Sequence, residues 1–312
     1  MVFLRICELN KYNILKFYHC DLALSRGTKF GFMIFYFVTL IVSACGDSFD
    51  REINNSTLPI EKISPIDEKE MVLVPAGDFI MGTNKTDNDK THLKIGAVKP
   101  LFLDQHPTRK IFLDAYYIDK YEVTNEEYKK FLDSSGYDEL PGHWKNGSYA
   151  EGKDRYPVTH VTWREALTYA LWAQKSLPTE AQWEKAARGV DGRIYPWGDD
   201  YEKGKSNMGI DGARSLVEVG MYPADISPYK VHDLGGNVME WTMDWYQAYP
   251  GSTYKNPQYG KTLKVLRGNA FQKSGHYFLK AFRYAFSRTE ADPNDYFVNV
   301  GFRCVKQLTT LK

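Results

Sequence analysis

The run Gly235-Gly236-Asn237-Val238-Met239-Glu240-Trp241, continued by Thr242-Met243-Asp244-Trp245, sets an amide, a carboxylate and two indoles beside two adjacent glycines. Glycine lets the backbone turn sharply and bring carbonyl oxygens to one side. Asn and Glu add hard oxygen donors, the kind that Ca²⁺ takes in preference to nitrogen or sulfur. The run therefore reads as a rigid, oxygen-rich turn against an aromatic wall. The alternative is a well-packed turn in a Trp-rich core.

Other reactive side chains are sparse. Beyond the leader the histidines are His92, His106, His143, His160, His232 and His276, and no two stand at the HxH or HxxxH spacing of a metal pair. A three-His iron site would need distant loops, and His106 and His160 read as packed or surface residues. No GxSxG elbow, P-loop or dinucleotide fingerprint is present. Of the cysteines Cys7, Cys20, Cys45 and Cys304, only Cys304 lies in the globular part, which excludes an internal disulfide framework.

Seven stretches then carry a family resemblance in order along the chain. They are Met71–Gly82 (MVLVPAGDFIMG), Ala115–Tyr128, Tyr156–Ala166 (YPVTHVTWREA), Ser176–Gly189 (SLPTEAQWEKAARG), Tyr195–Asp200 (YPWGDD), the Gly235 run and Val300–Cys304 (VGFRC). Together they resemble the formylglycine-generating enzymes, or sulfatase-modifying factors, from about Met71 to Lys306. The resemblance implies an α+β, irregular, loop-rich single domain that is a variant of the C-type lectin fold. It implies two structural calcium sites. One would use the side chains of Asn237 and Glu240 with the carbonyls of Gly236 and Val238. The other would use Asn207, the Met208 carbonyl and Asp211, although Asn207 and Asp211 also read as turn residues.

Where the family binds copper through two cysteines after an Arg/Lys-Gly-Gly-Ser motif, this chain reads Arg267-Gly268-Asn269-Ala270, with Lys273 and Phe278 at the cysteine positions. An ammonium and a phenyl ring cannot replace the thiolates that Cu(I) needs, so copper is not expected and no catalytic residue is assigned. Trp241, Arg283 and Arg288 match positions around the family's peptide groove, with Lys273 and His276 near its floor. Such a cleft would suit an acidic or extended peptide, a protein or a glycan. Alternatively the two arginines are structural, paired with Glu240, Asp244 or Asp292.

Lys and Arg, 40 together, nearly cancel 39 Asp and Glu, so net charge implies no nucleic-acid partner. Arg26 and Lys29 precede an apolar run, Phe30 to Val42, of signal-peptide length. It ends Leu40-Ile41-Val42-Ser43-Ala44-Cys45, which resembles a bacterial lipoprotein cleavage box. Cys45 would then be lipidated, and the protein would be a membrane-anchored, extracytoplasmic lipoprotein of the cell envelope. An ordinary signal peptide with an incidental Cys is the alternative. Residues 1–25 are long for an n-region and fit a start further downstream. Residues 1–45 are thus read as leader, 46–70 as a polar tether and 71–307 as the domain.

The elements that must position these groups announce themselves in part. Met71–Gly82 holds two strand-like runs around Pro75-Ala76-Gly77, Thr83–Lys99 reads as a surface loop, and Lys110–Tyr117 returns to a strand pattern. Three capping boxes, Thr124/Glu127, Thr162/Glu165 and Thr179/Gln182, each predict a helix start. The third helix should stop at Gly189. Leu263–Arg267 and Val300–Lys306 read as the last strands. By analogy with related domains in cell-envelope lipoproteins, the resemblance without its copper cysteines implies a binding or assembly module. The rival is a family oxidase that acts on a peptide or small molecule through a different centre.

Overall fold

Residues 58–94, 96, 99–209, 211–271 and 284–308 are described by a computed structural model. The leader, Cys45, Lys273, His276 and Arg283 lie outside them. Ten short strands are assigned among the described residues: β1 (Glu61–Ile63), β2 (Glu70–Val74), β3 (Gly77–Met81), β4 (Arg109–Leu113), β5 (Tyr116–Asp119), β6 (Met239–Trp245), β7 (Lys264–Arg267), β8 (Arg288–Ala291), β9 (Val300–Gly301) and β10 (Val305–Gln307). They build an antiparallel sheet β1-β2-β5-β10, a β3-β4 pair, and a sheet β8-β7-β6-β9 in which β6 and β9 run parallel.

Alternation in β2 and β5 explains why the first sheet is buried on both faces. Val72, Val74, Tyr116 and Ile118 turn to a cluster with Trp183, Ala186 and Ala187, while Met71, Leu73, Ala115 and Tyr117 pack on the other side with Leu58 and Leu308. Three helices complete the core: α1 (Asn125–Ser135), α2 (Trp163–Trp172) and α3 (Glu180–Arg188). Each begins with the capping box read from the sequence, both reciprocal hydrogen bonds being present. α3 ends at Gly189, whose N–H caps the Lys185 carbonyl. α1 and α2 meet through Tyr128 and Tyr169, stacked at 5.9 Å, above Trp241, Leu266 and Phe302.

α3 is the hub between the two larger sheets. Its apolar side faces the first sheet, and its acidic side faces the third. Arg267 Nη2 donates to Glu184 Oε2 at 2.6 Å, and Arg288 grips Glu180 through Nε at 2.6 Å and Nη2 at 2.9 Å. Asp244 Oδ2 accepts from the Glu180 N–H at 2.6 Å at the helix start, where the dipole favours a carboxylate.

Four expectations are corrected. Residues 58–70 are not tether: β1 pairs with β2, and Asp67 accepts from the buried Lys175 Nζ at 2.7 Å, with Asp119 on the other side at 2.8 Å. The loop after Met81 contains a helical turn, Thr91–Lys94, tied down by Asp87, which accepts from the N–H groups of Thr91 and His92. Lys110–Tyr117 divides at Asp114-Ala115 because β4 and β5 belong to different sheets. Val300–Lys306 divides for the same reason. Between β9 and β10 the Cys304 N–H leaves the ladder for Asp119 Oδ2 at 2.8 Å, and the Arg303 side chain turns inward. Among the described residues no helix is long and apolar enough to cross a membrane.

Candidate functional site

The Gly235 run is a turn only as far as Val238; from Met239 it is β6. The turn meets the segment around Asn207 through paired amides. Asn207 Nδ2 donates to Asn237 Oδ1 at 3.1 Å, and the Asn237 N–H donates to the Asn207 carbonyl at 2.9 Å. Asn207 Oδ1 accepts from the Ala213 N–H at 2.9 Å, and Asn237 Oδ1 accepts from the Val217 N–H at 3.2 Å. Asn237 has φ of 67°, a conformation Asn tolerates better than most residues. Gly236 is required by proximity: a Cβ there would lie 2.7 Å from the Asn207 carbonyl.

The same junction receives the chain after β7. The Gly209 N–H donates to the Ala270 carbonyl and the Phe271 N–H to the Asn237 carbonyl, each at 3.1 Å. The residues that the resemblance divides between two calcium sites thus meet at Asn207 and Asn237. The Met208, Gly236 and Val238 peptide units flank these two amides in sequence, and Asp211, hydrogen-bonded to the Tyr201 hydroxyl, stands on the same loop. The donor class suits a hard cation.

Glu240 does not join that junction. Its carboxylate takes Arg303 bidentately, Nε at 2.7 Å and Nη2 at 2.8 Å, and also accepts from Trp183 Nε1 at 2.9 Å. All three side chains are fully buried. Around this pair stand Glu122, 3.8 Å from Arg303, and the buried Asp225 and Asp233. Burial pushes the carboxyl pKa of Glu122 and Asp225 well above the ordinary range, aided in each by Asp233, and burial raises Asp233 to about 6. Among the described residues no group of three or more His, Cys, Asp or Glu is arranged to hold a metal ion.

Trp241 is buried and donates its indole N–H to the Val161 carbonyl at 3.1 Å. It packs on Phe297, ring centres 6.4 Å apart. The Phe297 carbonyl accepts from the His160 N–H at 3.0 Å, which brings the His160 ring within 4.5 Å of His143 and 6.1 Å of Tyr296. His160 has φ of 57°, and Tyr296 is exposed. Desolvation, with His160 alongside, lowers His143 to about 4, and desolvation lowers His160, so both are neutral imidazoles at pH 7. Sequence reading missed this His143–His160–Tyr296 face. The residues are too far apart along the chain for any spacing signal, and only the fold brings them together.

Arg288 is not free to line a cleft. It is buried, bonded to Glu180 and to the carbonyls of Asp104 and Gln247, and none of the partners considered from sequence is the one it takes. The cysteine pair of the copper centre that the resemblance implies has no counterpart in the sequence after Cys45. Cys304 is fully buried, its thiol pKa pushed well up by burial and by Asp119, and the sequence between Cys45 and Cys304 holds no other cysteine.

A family model described as the sulfatase-modifying factor enzyme 1-like domain matches residues 59–308. The chain is 30% identical over 322 residues to formylglycine-generating enzyme of Bos taurus, spanning 84% of this chain and 81% of that protein. It is 27% identical over 285 residues to inactive C-alpha-formylglycine-generating enzyme 2 of the same organism, spanning 75% and 87% respectively. Among solved structures, PvdO from Pseudomonas aeruginosa superposes with a TM-score of 0.62 at 24% identity, over 80% of this chain and 98% of that one, a likeness of fold.

Proposed function

The chain belongs to the sulfatase-modifying factor family, and from that premise we propose that it is a binding or assembly module of the cell envelope that does not oxidise cysteine with copper. The observation that carries this reading is the domain's cysteine content. A two-thiolate copper centre cannot be built from one buried thiol. The similar Bos taurus protein named inactive C-alpha-formylglycine-generating enzyme 2 supports use of this fold without that activity.

The binding face in this reading is the one at the exposed ring of Tyr296, backed from within by Phe297 and the buried Trp241, with neutral His143 and His160 as hydrogen-bonding groups. Aromatic surface with a few fixed polar groups suits a peptide or glycan segment. Calcium has a structural part here. Asn207, Asn237, Asp211 and the Met208, Gly236 and Val238 carbonyls would hold it, while Glu240 remains with Arg303. Membrane attachment would come through lipidated Cys45; Cys45→Ser is expected to release the protein from membranes, and retention of that variant would count against the anchor.

One observation favours the rival oxidase reading: two neutral imidazoles with ring centres 4.5 Å apart are within reach of one transition-metal ion. Elemental analysis of the purified protein, paired with oxygen uptake on a cysteine-containing peptide, separates the two. Calcium without stoichiometric copper or iron, and no uptake, is expected. Copper or iron near one per chain with peptide-dependent uptake would overturn the binding-module reading.

A further inference from the structure

A cleft of about 260 Å³ opens where α3 ends, between the β2–β3 turn and the segment near Tyr229. Pro75, Ala76, Val190, Pro228 and Tyr229 give it apolar walls, and Lys185 is the lining cation that forms no ion pair with a carboxylate among the described residues. The Lys185 side chain is withdrawn from water, the residue being 1% exposed. Its Nζ donates to the carbonyls of Pro75 at 2.7 Å and Gly77 at 2.9 Å. An ammonium has three N–H donors, so one remains.

The charges around it leave that ammonium unneutralised. Asp78 is the carboxylate that acts on it, and Asp78 is already paired with Lys110 at 2.8 Å. Asp191 and Arg193, at the cleft edge, pair with each other at 2.7 Å. Tyr229 is a neutral phenol, its pKa raised by burial and by Asp191. A buried cation stabilised by carbonyl dipoles alone costs free energy that a counter-ion would offset.

We propose that this cleft is a binding site for a small monocarboxylic acid with an apolar body, its carboxylate on Lys185 and its body between Pro228, Val190 and Ala76. At about 30 Å³ per water-sized group, the volume holds roughly nine non-hydrogen atoms. The carboxylate supplies the missing counter-charge, and the apolar walls reward a hydrocarbon body and not a polar one. Desolvation lowers Lys185 to about 8, so the free site loses its charge just above neutral pH.

The test is calorimetric titration of the full chain in detergent with phenylacetate and with its neutral isostere phenylacetamide. Saturable binding of phenylacetate is expected, at least tenfold tighter than the amide and about tenfold weaker at pH 9 than at pH 7 as Lys185 deprotonates. Lys185→Met should abolish it, but that variant also frees the β2–β3 turn. The decisive pair is therefore at Val190, which is 63% exposed and tolerates change. Val190→Asp should bind phenylacetate severalfold more weakly than Val190→Lys, since both lose the same apolar contact and differ in charge, with unchanged melting temperatures. No saturable binding, equal binding of the amide, or indifference to both Val190 charges would each overturn the proposal.

Discussion

At the scale of the residue, the decisive facts are pairings across long stretches of chain. Glu240 and Arg303 are 63 residues apart, and Glu180 and Arg288 are 108 apart. The sequence shows that Glu240 sits in a motif; it does not show that the carboxylate belongs to an arginine and an indole. Asp233 gives this buried cluster a measurable signature. Its carboxyl is raised to about 6, first by desolvation, against about 3.9 in an unfolded chain. The folded state therefore holds a proton between about pH 4 and 6 that the unfolded state releases. Stability from this group is complete below about pH 4 and is lost as pH rises through 6, worth on the order of 2 kcal/mol. Asp233→Asn cannot ionise. Relative to that variant, the native protein should lose about 2 kcal/mol in urea unfolding between pH 4.5 and 7.5. A difference between the two proteins that stays constant with pH would show that Asp233 is ionised in the fold throughout.

At the scale of the element, local signals were legible and boundaries between sheets were not. All three capping boxes lie where Thr and Glu or Gln stand three apart, because that device is complete within four residues. The segment 58–70 was misread because it is polar, and its polarity is spent inward. Lys69 Nζ donates to Glu127 Oε2 at 2.6 Å and to the Glu122 carbonyl at 2.9 Å, and Asp67 shares Lys175 with Asp119. A composition argument cannot distinguish a polar tether from a polar strap whose charges find buried partners. A chain that begins at residue 71 removes Asp67, Lys69 and β1 together. Against one that begins at residue 58, it should lose about 3–5 kcal/mol, the usual cost of breaking a buried ion pair. Its melting temperature should be about 10 °C lower. Equal melting temperatures would return 58–70 to the status of a tether.

At the scale of the whole molecule, the ordered family motifs made the α+β, C-type-lectin-like fold legible, and the family model and structural likeness agree with it. What the motifs could not convey is that one junction ties together three segments of the loop-rich half. The junction of Asn207 with Asn237 binds three segments: 207–217, the turn 235–238, and the Ala270-Phe271 stretch that follows β7. Backbone and amide hydrogen bonds satisfy that junction by themselves, so it can form without a cation. An ion that binds it only in the fold adds stability in proportion to the logarithm of its concentration over Kd, about 2.7 kcal/mol at a hundredfold excess. Excess chelator is therefore expected to lower the melting temperature by several degrees, and added calcium to restore it. Asn237→Ala should melt lower even in chelator, because it strips the contacts to Asn207 and Val217, and it should no longer respond to calcium. A native protein indifferent to chelator, alongside a destabilised Asn237→Ala, would make the junction a pair of amides and nothing more.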